Sequence, residues 1–224
     1  MEYILIRSRR KTAALYIRDG GVEVRAPLRL PKRDIDRFVD SKSKWIADKL
    51  ALSQERAERR ENFMLTYGSS ILYRGEQYYI MAKSGKRAGF DGKYFYVPPG
   101  LAPDLIKAAC VRVYRILARR VLTDRTLALA RQMRVSPAAV RITGARTRWG
   151  SCSTKKNINY SWKLIMAEDN VIDYVIVHEL AHLTEMNHSM RFWKIVEGAL
   201  PDYAVRRARL RELQRRLARE VWDE

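Results

Sequence analysis

Residues 171–188 read VIDYVIVHELAHLTEMNH, and the rest of the chain is organised around them. Val171 to Val177 are largely apolar, which predicts a buried helix running into His178. On a helix, positions i and i+4 lie one turn apart on one face. His178 and His182 can therefore both reach one Zn²⁺ at about 2.0–2.1 Å. Glu179 is rotated roughly 100° from His178, where it flanks the metal position without being a ligand. His188 lies six residues past His182, roughly 9 Å further along a continuous helix. For His188 to join the pair, the helix must break between Leu183 and Asn187, with Asn187 the candidate left-handed terminator.

These three are all the histidines in the chain. Three histidines scattered at random would take this spacing in about one arrangement in 10⁴, so HExxH with a further His reads as a metal site. Three imidazoles and an open position describe a catalytic zinc site rather than a closed structural one. Zinc lowers the pKa of a bound water and polarises a carbonyl. Glu179 is placed to take the water proton and deliver it to a leaving amine. Tyr203 and Arg148 are the further candidates for stabilising charge.

The composition limits the setting. The chain has 224 residues, 47% hydrophobic and 31% charged, enough for a sizeable core. No run approaches the roughly 18 apolar residues of a membrane span. The N-terminal MEYILIRSRRK reverses the order of a signal peptide, so the expected location is cytoplasmic. Cys110 and Cys152 are too few for a disulfide scaffold. The net charge of +19 and pI near 10.2 suggest a polyanionic partner, nucleic acid among the candidates, or a solvated basic surface. Residues 101–150 carry 11 basic and 2 acidic side chains, whereas 151–203 carry 5 and 7 and hold every histidine.

Element signals outside the motif predict an α+β chain. Leu15, Ile17, Val22 and Val24 alternate around Asp19-Gly20-Gly21, a hairpin signal. A helix follows Pro31, with Ile35, Phe38, Val39, Trp45, Ile46 and Leu50 on one stripe and a solvated end at Arg59-Arg60-Glu61. A second hairpin turns at Arg74-Gly75-Glu76-Gln77, and Tyr94 to Val97 forms a short strand. The aromatics there fill a half-buried face or stack on bases. Pro98-Pro99-Gly100 marks the expected boundary between a β-rich region, 1–100, and a catalytic domain, 101–224. A helix spans about Pro103 to Arg134, with a stripe of Leu105, Ala109, Val113, Ile116 and Leu117. Strands follow at Val140–Ile142, Arg148–Cys152 and Tyr160–Met166. Helices fill the last third, and the tail, 204–224, is read as a basic helix packed on the catalytic domain.

The chain resembles the YgjP-like metal-dependent hydrolases, a family of zincin-type metallopeptidases. The resemblance rests on Arg148-Trp149-Gly150-Ser151-Cys152-Ser153, on Ile172-Asp173-Tyr174-Val175, on HELAH, and on Asn187-His188-Ser189 with Phe192-Trp193 and Pro201-Asp202-Tyr203. It implies zinc on His178, His182 and His188, and Glu179 as base. It also implies an active-site helix beside a small sheet whose edge strand aligns substrate. The chain departs from the family pattern at Ser161, Lys156 and Glu168, where Asn, Gly and Pro are usual, and at Glu185, where related families have Gly. The expected substrate is a protein or peptide, with the extended Asn159–Met166 stretch available to pair with its backbone. The competing readings are a metal-dependent phosphohydrolase of nucleoside triphosphates, a nucleic-acid-associated protease and a basic adaptor with a relic site. No Gly-rich phosphate loop supports the first of these.

Overall fold

Strict alternation in Gly21–Pro27 makes this strand (β3) the centre of the first sheet. Val22, Val24 and Ala26 are buried while their neighbours are half-exposed. It pairs parallel with β1 (Ile4–Ser8) and antiparallel with β2 (Ala14–Arg18), in the order β1-β3-β2. Helix α1 (Lys32–Asp40) lays Ile35 and Val39 on this face, and α2 (Ser43–Glu61) adds Ile46. The stripe expected for one helix is thus divided between two. Ser41 ends α1, its backbone N–H bonding to Arg37 O and its hydroxyl to Phe38 O at 2.8 Å. The break changes the phase, and Trp45 is left 42% exposed.

The computed structural model describes residues 2–18, 20–61 and 63–222, and among the side chains not those of 56, 57 and 59–61. Asp19 of the first hairpin and the side chains of the solvated end at Arg59-Arg60-Glu61 lie outside what is described. The chain divides into two compact units, Met1–Phe63 and Met64–Glu224.

The second unit opens with the sheet β4 (Ser70–Tyr73), β5 (Glu76–Ala82), β6 (Gly89–Phe90) and β7 (Phe95–Val97), in the order β4-β5-β7-β6. Arg74 and Gly75 turn the hairpin, both at positive φ (50° and 85°) as a two-residue turn demands. Gly75 is needed twice over, because a Cβ there would sit 2.6 Å from Glu168 Cγ. The aromatic residues pack on one another, Tyr73 against Phe90 at 4.9 Å and Phe90 against Phe95 at 4.8 Å. Pro98-Pro99-Gly100 lies inside this unit, not between the units. Tyr67 donates to Pro98 O, Leu101 N–H donates back to Tyr67, and Phe95 packs 5.1 Å from Tyr114.

Helix α3 (Pro103–Gln132) begins at a proline in the position that needs no N–H and spans roughly 45 Å. Its buried stripe is Ile106, Ala109, Cys110, Val113, Tyr114, Ala118 and Leu122, so Leu105 and Ile116 of the expected stripe face solvent. It packs on the sheet β8 (Ala139–Thr143), β9 (Gly150–Cys152) and β10 (Asn157–Ser161), ordered β8-β10-β9. The strand expected over Tyr160–Met166 ends at Ser161. Trp162–Met166 is a 3₁₀ turn with Trp162, Leu164, Ile165 and Met166 all buried. Helices α4 (Asp169–Ala181), α5 (Met190–Ala199) and α6 (Tyr203–Leu217) complete the unit. α4 is apolar nearly all round, as a helix enclosed by neighbours must be, and it packs against α3, α5, α6 and β9. The α+β expectation, a small sheet against the HExxH helix, is met. Among the described residues, no helix is long and apolar enough to cross a membrane.

Candidate metal centre

Helix α4 is anchored at its start. Asp169 in its first turn meets the guanidinium of Arg74, and Arg125 from α3 bridges to Asp169 at 3.1 Å. Arg125 also grips Asp173 through two bonds of 2.9 and 2.8 Å. His178 and His182 therefore sit at the end of a fixed, enclosed rod.

The turn that returns His188 forms without a left-handed residue. His182 caps α4 in right-handed geometry, and Leu183, Thr184 and Glu185 donate back to Leu180 and Ala181. Asn187 is not at positive φ, so the terminator expected there is replaced by this tight right-handed turn. The same turn presents Glu185 O to His182 Nδ1 at 3.1 Å. That contact orients the ring and leaves Nε2 for a ligand. Ser189 then caps α5, accepting from Phe192 N–H.

The three imidazoles converge. One ring nitrogen from each of His178, His182 and His188 lies within 4.8 Å of the others, a set able to hold a metal ion. His178 Nε2 and His188 Nε2 are 3.0 Å apart. Three nitrogens at zinc distance in tetrahedral geometry stand about 3.3 Å apart, so the His178–His188 pair is near that spacing and the full set spreads to no more than 4.8 Å. Phe192 lies under all three rings, with centroids at 4.9, 4.5 and 4.8 Å. Trp193 stacks on His188 and in turn on Tyr203, 5.4 Å away. Burial above all, then His182, His188 and Arg207, pushes the His178 pKa down to about 3. Burial also lowers that of His182, against the pull of the Glu185 carbonyl. His178 is thus neutral at physiological pH, the state a metal requires.

Glu179 points the other way round the helix, toward β9. It is 5% exposed, and burial pushes its carboxyl up to about 7 while Arg148 works against the rise. A Cβ on Gly150 would stand 2.6 Å from Glu179 Oε1 and 2.7 Å from its Cγ, so the strand has to be glycine where the carboxylate rests. Trp149, Gly150, Tyr174, Val175, His178, Glu179 and Leu210 enclose a hollow of about 210 Å³. β9 is an edge strand beside this hollow. β10, which holds the stretch expected to pair with substrate, is the central strand with both edges taken. The available edge is therefore Gly150–Cys152.

Of the two further candidates, Tyr203 packs on Trp193 and the exposed Arg148 acts on Glu179 through its charge. Spacing gave no sign of the contributions from α6. Leu210 lines the hollow, and Arg207 lies over the Trp193 ring at 5.1 Å.

A histidine triad on a helix end and its return turn, with a buried carboxyl against an edge strand, makes this α+β protein a metallohydrolase. The chain belongs to the YgjP-like family, a metallopeptidase domain whose family model matches residues 11–213. It is also similar to the zymogen of abylysin from Pyrococcus abyssi, with 23% identity over 45% of this chain and 98% of that one, at a TM-score of 0.39. The zymogen of jannalysin from Methanocaldococcus jannaschii is similar at 17% identity over 42% and 95%, with a TM-score of 0.37. No curated protein matches the chain.

Proposed function

We propose that the protein is a cytoplasmic zinc peptidase, with the metal held by His178, His182 and His188 and with Glu179 as general base. The convergence of the three imidazoles carries this reading. An all-imidazole donor set suits zinc, whereas the magnesium of most phosphate chemistry prefers carboxylate and water. Bound zinc supplies a Lewis acid and a water acidified toward neutral pH. Glu179 supplies the proton traffic. Its buried carboxyl accepts a proton at Oε1 or Oε2 and returns it to a leaving amine. β9 aligns the substrate, its free edge offering backbone groups to an extended peptide beside Glu179. Cys110 and Cys152 are both free thiols, in keeping with a reducing compartment.

The test is mass spectrometry of products from the zinc-loaded protein given a denatured protein together with nucleoside triphosphates. Peptide products from wild type that are lost with Glu179→Gln support the reading. Cleaved nucleotides beside intact protein overturn it.

A further inference from the structure

The hollow beside Glu179 has two sides. On one, Glu179 rests against β9, where Gly150 leaves it room. On the other, Tyr174 and Leu210 line it where α6 packs on α4. Tyr174 lies one turn before His178 and is 4% exposed. Its hydroxyl has no hydrogen-bond partner among the described residues, yet it is not closed off from solvent. A phenol buried to this degree ordinarily finds a partner for its O–H. One left unpaired at the edge of the candidate metal centre is set to bond to what enters.

Helix α6 brings positive charge to the same side. Arg207 and Arg211 are four residues apart, so they are neighbours on its surface, beside Leu210. Like charges at that spacing repel. Arg206, Arg209 and Arg216 of this helix meet carboxylates, those of Asp202, Glu168 and Glu220. Arg207 and Arg211 meet none among the described residues. Trp222, where the described chain ends, packs on Tyr114 and Trp162, neither of which lines this hollow. Burial raises the Tyr174 phenol pKa and both arginines pull against the rise, so their charge reaches it. Arg207 also lies 5.1 Å over the Trp193 ring, which stacks 6.0 Å from His188. Those two spacings put its charge no more than about 11 Å from the His188 ring, about three residues of extended peptide.

We propose that Tyr174, Arg207 and Arg211 form a subsite for a carboxylate of the peptide substrate, within about three residues of the bond that is cut. The inference rests on the peptidase reading and adds its substrate class. Two guanidinium groups match a carboxylate, and the Tyr174 hydroxyl donates to one of its oxygens. The carboxylate comes from the peptide's C-terminus or from an acidic side chain, and the two sources are separable.

The test uses short peptides of one acid-free sequence carrying a neutral fluorophore. One ends in an amide, one in a free carboxylate, and one is the amide with Glu replacing Gln throughout. They are titrated by anisotropy into zinc-loaded Glu179→Gln protein, which binds without cutting. At least one carboxylate form is expected to bind about tenfold tighter than the plain amide at low salt, and which one does names the source. The added pair Arg207→Gln and Arg211→Gln closes the gap. Tyr174→Phe, which keeps the ring and removes the hydroxyl, narrows it. Arg119→Gln with Arg120→Gln removes equal charge from exposed positions on α3 and leaves the gap open. Equal binding of all three peptides overturns the proposal. So does a gap that survives loss of Arg207 and Arg211, or one that the α3 pair closes as well. A nucleoside triphosphate held by these arginines while the peptides bind alike also overturns it. Turnover of the three peptides by the wild type is followed in parallel. Cleavage of none counts against the peptidase reading, and equal binding counts against the subsite alone.

Discussion

Gly150→Ala isolates what the edge strand does for the Glu179 carboxyl. The φ of Gly150 is not in the left-handed region, so alanine meets no backbone penalty. Its methyl would lie 2.6–2.8 Å from Oε1, Cγ and Cδ of Glu179, where carbon contacts normally sit near 3.5–4 Å. The carboxylate must therefore retreat by about 1 Å, and being 5% exposed it has little room to do so. A displacement of that size costs about 10² in rate when the group is a positioned base. The overpacking itself costs about 1–3 kcal/mol of stability. The imidazoles lie on a different face of α4 and on the return turn, so zinc content should stay at one equivalent. The assay is peptide turnover with zinc content and a thermal melt measured on the same samples. A double-mutant cycle with Glu179→Gln supplies the decisive comparison. If both changes act on one carboxylate, the double variant is no slower than Glu179→Gln alone. Full activity in Gly150→Ala, loss of zinc, or additive losses in the cycle would refute the reasoning.

The raised pKa of Glu179 makes a thermodynamic prediction for the chelated, metal-free protein. A carboxyl raised from 4.5 to about 7 by burial stabilises the fold fully below 4.5, and that contribution is lost as pH rises through 7. Glu179→Gln titrates nowhere in this range, so its stability advantage over wild type should grow between pH 4.5 and 7 and level off at about 3 kcal/mol. Urea unfolding across that range measures it, and a pH-independent difference would rule it out. Asp173→Asn removes the charge gripped by Arg125 between α3 and α4. It should lower stability by about 1–2 kcal/mol, since the pair is partly solvated, and leave zinc affinity within a few-fold. An unchanged urea midpoint would show that the pair contributes nothing.

The helix period made the placement of His178, Glu179 and His182 legible, because these three groups of the candidate site lie within two turns of one helix. His188 was legible by elimination, since a third imidazole must return through a break. The form of that break was not. A left-handed residue was expected at Asn187, whereas the chain closes a right-handed turn that also supplies the Glu185 carbonyl to His182. Short apolar runs differ from their expected form for another reason. Trp162–Met166 has the composition of a buried strand, but it is buried on every side by packing and turns as a 3₁₀ segment, where its backbone receives the Arg74-Gly75 hairpin. Pro98-Pro99-Gly100 announced a turn, and sequence gives no measure of whether a turn also parts two cores.

Gly150 and Asp173 show where local reading stops. Both were visible as members of recurring motifs, yet the reason for each lies in a residue distant along the chain. For Gly150 that residue is Glu179, whose side chain occupies the volume a Cβ would fill. For Asp173 it is Arg125, whose guanidinium fixes the helix that carries two of the three imidazoles. The same holds for α3, where the spacing predicts a single apolar stripe through Leu105 and Ile116. The helix packs on the sheet, the 3₁₀ turn and α4 together, so its buried face is set by what surrounds it, and even Thr126 is enclosed, donating to Leu122 O at 2.6 Å. Spacing within one helix can place ligands around a metal, because the helix itself supplies the geometry. A glycine, a salt bridge or a buried face is determined by the partner, and only the fold identifies the partner.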